Sequence, residues 1–349
     1  MEYRRLGGTD LSLSEIGFGC GGNAGLMVRG SAKEQIEIVA QALDLGINYF
    51  DNAPDYGDGA AETNLGQALR TLKVRPIVTS KVEIRAADLG DIAGHIVRSV
   101  DASLQRLGLD ALDVLQIHNG PARSKPDQPP GSYERLWLED FLRPNGALEG
   151  LRRVRAGGKV QRLGFVCRGN DRQGVQALLD TDLFALINVT YTLLNPTAGL
   201  DKPAGFSTPR DYGNVIGLAH GRGVGTAIFS PLAGGTLTDR SLGGLESHRL
   251  ARAWPATPTQ AQDRERASKL KQVIGRDESL AATAYRFILA NPGVTTVIGG
   301  FSDAAQLLEL TAVSDGAGFP PEDFERLQDL WGRNFGDAPA AGRHVQASD

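Results

Sequence analysis

Residues 47–57 read INYFDNAPDYG, and this stretch decides the fold. Its first half is a short apolar run of β-branched and aromatic residues, as a buried strand requires. The run ends on an acid, Asp51, and then enters a turn that carries Pro54, Tyr56 and Gly57. A helical spacing of apolar residues follows over 62–72. The same strand-then-helix unit recurs along the chain. Strand-like runs are expected at 16–19, 47–53, 77–81, 112–118, 163–167, 186–190, 226–230 and 296–300. Helical patterns are expected at 32–45, 62–72, 92–107, 148–156, 175–179, 215–220, 264–274, 279–290 and 304–310, the first capped by Ser31. Strict alternation predicts a parallel sheet, and eight repeats predict closure into a (β/α)8 TIM barrel.

Residues 4–14 hold Gly7-Gly8-Thr9-Asp10 between two short runs, which reads as an N-terminal β-hairpin plugging the barrel floor. Three stretches break the rhythm, at 119–146, 195–210 and 232–262, and each follows a strand. They are therefore expected as long loops on the C-terminal face, where barrel active sites lie. The expectation is one domain over residues 1–336, with a weakly ordered tail over 337–349.

The 349 residues are 41% hydrophobic and 22% charged, which excludes the low-hydrophobicity signature of disorder. A formal net charge of −4 offers no pull towards nucleic acid or an anionic membrane. Two cysteines, Cys20 and Cys167, with no metal-ligand spacing argue against a disulfide scaffold and a metal centre. No signal peptide and no apolar run of transmembrane length stand out, so the reading is a cytoplasmic chain. Gly17, Gly19 and Gly22 fit a dinucleotide G-x-G-x-x-G, but residues 23–30 intervene before the helix, which favours a barrel-mouth turn. The triplet at Asn188 lies in an expected core strand and is discounted as a glycosylation site.

Three neighbouring strands end on titratable residues: Asp51, Lys81 in PIVTSK and His118 in LDVLQIHN. Polar residues at these ends of a barrel point into one mouth, and Tyr56 reaches the same centre from its turn. Together they make a proton-transfer site. Lys81 is expected to favour the Tyr56 phenolate and lower its pKa, with Asp51 holding Lys81 charged. His118 is expected to bind the substrate oxygen while Tyr56 protonates it, or to take part in the reverse.

From YRRLGGTDLSLSEIGFGCG through DNAPDYGDGAAETNLGQAL, VTSK and LQIHN to IFSPLAGG and VIGGFSDAAQLLEL, the chain resembles the aldo-keto reductase family. The resemblance implies an NAD(P)-dependent oxidoreductase that moves a hydride between the nicotinamide and an aldehyde, ketone or sugar. It implies Asp51, Tyr56, Lys81 and His118 as the catalytic tetrad. For the cofactor it implies Gly21, Gly22, Asp51, Cys167, Asn188 in place of the usual Gln, Phe229 stacked on the nicotinamide, and Ser230, Pro231, Leu232 and Gly234 along the pyrophosphate. Gly299, Gly300, Phe301 and Gln306 complete that set. Val166-Cys167 stand where the family commonly has Ser-Asn. The segment 299–306 also lacks the Lys or Arg that often meets the 2′-phosphate of NADP. The family favours NADP(H), and that absence keeps NAD(H) equally open.

The expected partner is a small carbonyl or sugar substrate, with no nucleic acid or membrane and with monomer or homo-oligomer left open. Tyr133, Trp137, Phe141, Tyr191, Phe206, Tyr212 and Trp254 supply aromatic surface in the loops, for enclosing a substrate or for packing. Two alternatives keep the cofactor: a redox-neutral lyase or epimerase working through transient oxidation, and a non-catalytic cofactor-sensing partner subunit.

Overall fold

Eight short strands form the barrel: β1 (Ile16–Gly19), β2 (Tyr49–Asp51), β3 (Ile77–Val82), β4 (Leu112–Ile117), β5 (Val160–Val166), β6 (Leu186–Val189), β7 (Gly225–Ile228) and β8 (Thr296–Gly300). In the computed structural model, which describes residues 1–129, 131–169, 171–252, 258–274 and 277–336, they pair in chain order and β8 closes on β1. Every neighbouring pair is parallel. Trp254 and the tail over 337–349 lie outside the described residues.

The period of two sorts the side chains. Phe18 and Phe50 face the helices and stack at 5.3 Å. Tyr49 and Asp51 share the opposite, inward face. The inward layer is built from Tyr49, Val114, Leu186, Ala227 and Ile298, and the hairpin of Tyr3–Arg5 with Ser12–Ser14 seals it from below with fully buried Leu6 and Leu13. Gly17 must be glycine here, because a Cβ would meet the Tyr49 ring at 2.8 Å. The floor expected from the sequence is therefore a plug.

The helices follow their caps. Ser31 and Glu34 form a capping box at the start of Ala32–Asp44, satisfying backbone N–H groups that have no partner inside the helix. Asp91 caps Ile92–Leu107, and left-handed Gly108 ends it. A helix the sequence reading lacked, Pro321–Gly332, buries Trp331 against Phe287 and donates its indole N–H to the Leu193 carbonyl at 2.9 Å. It clamps the loop after β6. Within 119–146, Gly120–Ala122 pairs with Arg135–Trp137, and Leu138–Leu142 follows. Among the described residues no helix is long and apolar enough to cross a membrane.

Candidate active site

Alternation along the strands puts Asp51, Lys81 and Asn188 on the inward face of β2, β3 and β6, near their C-terminal ends. His118 follows β4 directly and is tied to β3 by its N–H to the Val82 carbonyl. Tyr56 enters from the turn after β2, its N–H bonded to the Ala53 carbonyl.

Lys81 is the hub. Its ammonium donates to Asp51 Oδ1 at 2.5 Å, to the Asn52 carbonyl at 2.8 Å and to the Tyr56 hydroxyl oxygen at 3.3 Å. All three of its protons are taken, so burying the charge carries no unsatisfied donor. Because the Tyr56 oxygen accepts from Lys81, its own proton is left to give elsewhere. The Lys81 side chain is 2% exposed. Burial pulls its pKa down, but Asp51 and Tyr56 outweigh this and hold it above the ordinary lysine value.

The expectation that Lys81 lowers the Tyr56 pKa needs correcting. Burial of the phenol dominates, and with Asp51 and Asp55 nearby it pushes Tyr56 up to about 12 despite the ammonium. Tyr56 is thus held as an acid. His118 moves the other way, since burial, Lys81 and Arg168 all disfavour its cation and take it well below the usual histidine value.

His118 has neighbours that the sequence reading did not single out. Its Nδ1 faces Glu83 Oε1 at 3.5 Å and Asp55 Oδ1 at 3.6 Å, while Arg168 Nη2 lies 3.0 Å from its Nε2. Tyr133 donates its hydroxyl to Asp55 and lies 5.1 Å from the His118 ring. Glu83 was findable, because it lies two residues beyond Lys81, just past the end of β3, where the alternation of the strand carries it to the same side. Of the other loop aromatics, Phe141, Tyr191, Phe206 and Tyr212 are buried as packing, and Trp137 donates to the Arg123 carbonyl.

The residues assigned to a nucleotide spread around this mouth. Asn188 donates to Asp51 Oδ2 at 3.2 Å, and its Oδ1 is buried without a partner, ready for a donor such as a carboxamide. Phe229 follows β7 and packs beside Ala227 and Ile298. In the Ser230–Gly235 turn, Ser230, Ala233, Gly234 and Gly235 all have positive φ, a winding backbone that suits an anion cradle. Gly21 lies open beside the Tyr56 ring, with room for a Cβ at 3.7 Å, and Gly22 is similarly uncrowded. Pro231 is buried and Leu232 packs against the core, which leaves their backbones for contact.

Other members of that set are turned inward. Cys167 is buried in the layer between strands and helices, where desolvation drives its pKa up. Phe301 packs on Phe18 at 5.3 Å, and its ring fills the space beside Gly299. Gly300 is exposed and approaches Ala24. Gln306 accepts from the Ser302 N–H at 2.9 Å, and Asp303 caps the helix Ala304–Thr311. Any contact from Cys167 or Phe301 to a nucleotide falls to the backbone. A cleft of about 700 Å³ at the hairpin end, beside Arg4, His220 and Thr295, holds none of the tetrad.

The Aldo/keto reductase family profile matches residues 15–332. The chain belongs to the aldo/keto reductase family. Among curated aldo/keto reductase relatives, it is 27% identical to an L-galactose dehydrogenase of Arabidopsis thaliana, covering 89% of this chain and 88% of that one. It is 28% identical to a putative voltage-gated potassium channel subunit beta of Schizosaccharomyces pombe, covering 95% and 93%. An L-glyceraldehyde 3-phosphate reductase of Escherichia coli O157:H7 is 25% identical, covering 94% and 91%. An aldo-keto reductase of Bacillus halodurans shares the fold with a TM-score of 0.71, 22% identity and coverage of 95% and 96%. The family's members use NAD(P)(H), and this aldo/keto reductase chain has the closed eight-stranded barrel of that family.

Proposed function

We propose that this chain is an NAD(P)(H)-dependent oxidoreductase that interconverts a small aldehyde, ketone or sugar with its alcohol or lactone counterpart, using Tyr56 as the proton donor and acceptor. The observation that carries the reading is the Lys81 ammonium, which is fully engaged by Asp51, Asn52 and Tyr56 and leaves the phenolic proton free. A bound nicotinamide supplies or receives the hydride. Asn188 would meet its carboxamide, Phe229 its ring and the Ser230–Gly235 turn its pyrophosphate.

The chain's own groups handle the proton. At neutral pH Tyr56 is protonated, since burial holds it at about 12. As negative charge grows on the substrate oxygen, Tyr56 gives up its proton, and Lys81, held charged by Asp51, stabilises the phenolate left behind. In the reverse direction the same phenolate takes a proton from an alcohol.

For the cofactor, the segment 299–306 carries the carboxylate of Asp303 and no Lys or Arg, which would repel a 2′-phosphate and favours NAD(H). Fluorescence titration with NADH and with NADPH, followed by a panel of carbonyls and sugars with the tighter cofactor, tests both halves. We expect NADH to bind more tightly and at least one substrate class to turn over. Tighter NADPH binding would reverse the cofactor choice, and an inert panel would remove the enzymatic reading.

A further inference from the structure

Tyr49 sits two residues before Asp51 on β2, so both side chains enter the barrel interior on the same face. Its ring is fully buried and wedged against Gly17, which leaves the phenol little freedom to turn away. A fixed ring aims a fixed hydroxyl. That hydroxyl lies under the tetrad, near enough to Asp51 and Thr79 for both to act on its ionisation. It is buried and closes no ordinary hydrogen bond with the described residues. Packing alone would be served by phenylalanine, and a buried hydroxyl without an acceptor is costly.

The neighbours narrow the choice of acceptor. Thr79 spends its proton on the Val114 carbonyl at 2.9 Å, and its oxygen faces Gln116 Nε2 at 3.5 Å. Asp51 accepts at Oδ1 from Lys81 and at Oδ2 from Asn188. Each carboxylate oxygen carries two lone pairs, so Asp51 keeps sites for a further donor. The competing acceptor is Gln116 Oε1, buried and also without a partner, but a neutral amide attracts a hydroxyl less strongly than a carboxylate does.

We propose that Tyr49 is a positioning residue of the proton-transfer site, its hydroxyl proton directed to Asp51 so that part of the carboxylate charge is taken up from below. The proposal rests on the oxidoreductase reading above. Tyr49 exchanges no proton with the substrate. Lys81 and Asp51 act on Tyr56 in opposite senses, the ammonium favouring the phenolate and the carboxylate opposing it. A donor on Asp51 weakens the opposition while the ion pair with Lys81 stays in place. The phenolate that forms during turnover is therefore better tolerated in both directions of the reaction.

Tyr49→Phe removes only the hydroxyl and keeps the ring. With a working substrate it should lower kcat by about threefold to tenfold, with KM and nucleotide affinity within about twofold. Because the effect runs through Asp51, it should vanish when Tyr49→Phe is made in the Asp51→Asn chain. An unchanged kcat, or a loss that persists in full in the Asp51→Asn chain, overturns the proposal. Proton NMR of the cofactor-bound full chain adds a measurement that needs no turnover. A hydroxyl resonance that disappears in Tyr49→Phe should move upfield in Asp51→Asn and stay in place in Gln116→Met. The reverse pattern gives the proton to Gln116, and a hydroxyl that exchanges too fast to be seen is held by neither; both overturn the proposal. A chain that turned over no substrate would remove the oxidoreductase reading and leave the contact to be judged by this resonance.

Discussion

At the scale of single residues, burial sets the chemistry as much as charge does. Lys81 is close enough to pull Tyr56 towards its phenolate, yet the desolvated phenol, with Asp51 and Asp55 beside it, stays protonated, which suits a donor at neutral pH. Which side chains sit on the mouth was legible, because the strand ends and the period of two are local facts. The direction of the Tyr56 shift was not, because desolvation depends on how the whole barrel closes over the ring. Glu83 shows the same effect in a form that can be measured. Its carboxyl, desolvated and beside Asp55, is raised from an ordinary 4.5 to about 8. Between those values the folded chain holds a proton that the unfolded chain has lost, so Glu83 makes stability fall as pH rises through that window. His118, depressed in the fold, acts oppositely below its ordinary 6.5 and is common to both chains being compared. Glu83→Gln should melt with the wild type near about pH 4 and increasingly above it towards about pH 8. Parallel melting temperatures across that range would show that Glu83 is an ordinary carboxylate.

At the scale of elements, one buried carboxylate ties three pieces together. Glu62, on the helix Ala60–Leu72, accepts from Ser80 Oγ on β3 at 2.5 Å and from Arg106 Nε on Ile92–Leu107 at 2.7 Å. This fixes two helices to the strand that carries Lys81. Glu62→Ala should cost about 2–3 kcal/mol in denaturant unfolding, less than a fully buried pair because Arg106 keeps some contact with water. A change within about 0.5 kcal/mol, as for a surface pair, would remove that role. Caps were legible where a short polar residue precedes an apolar repeat, as at Ser31. The helix Pro321–Gly332 escaped because its stabilisation comes from Trp331 docking on Phe287 and Leu193, contacts far away in sequence.

Across the whole molecule, the barrel works as a sealed stand for its mouth. The hairpin fills the floor, so the strands are held at one end while the loops and the mouth lie at the other. Leu13→Ala should cost about 2–5 kcal/mol of stability by opening a cavity beneath the barrel, while nucleotide affinity at the far end stays within a few-fold. A loss of nucleotide binding alongside full stability would place the hairpin in the site instead. The eight-strand order was legible throughout because each strand is a short apolar run bounded by polar turns. Most of the ring around His118 was not, since Asp55, Arg168 and Tyr133 come from separate loops and meet only when the barrel closes, and only Glu83 could be read from its spacing to Lys81.

On the proposed mechanism Tyr56 supplies the proton while the nucleotide contacts lie elsewhere, a division of labour that one substitution separates. It is tested most directly by comparing Tyr56→Phe with the wild type in steady-state turnover and in nucleotide fluorescence titration. Turnover should fall by about 10²–10⁴-fold while nucleotide affinity stays within a few-fold. Wild-type turnover in the Tyr56→Phe chain would rule out Tyr56 as the proton donor.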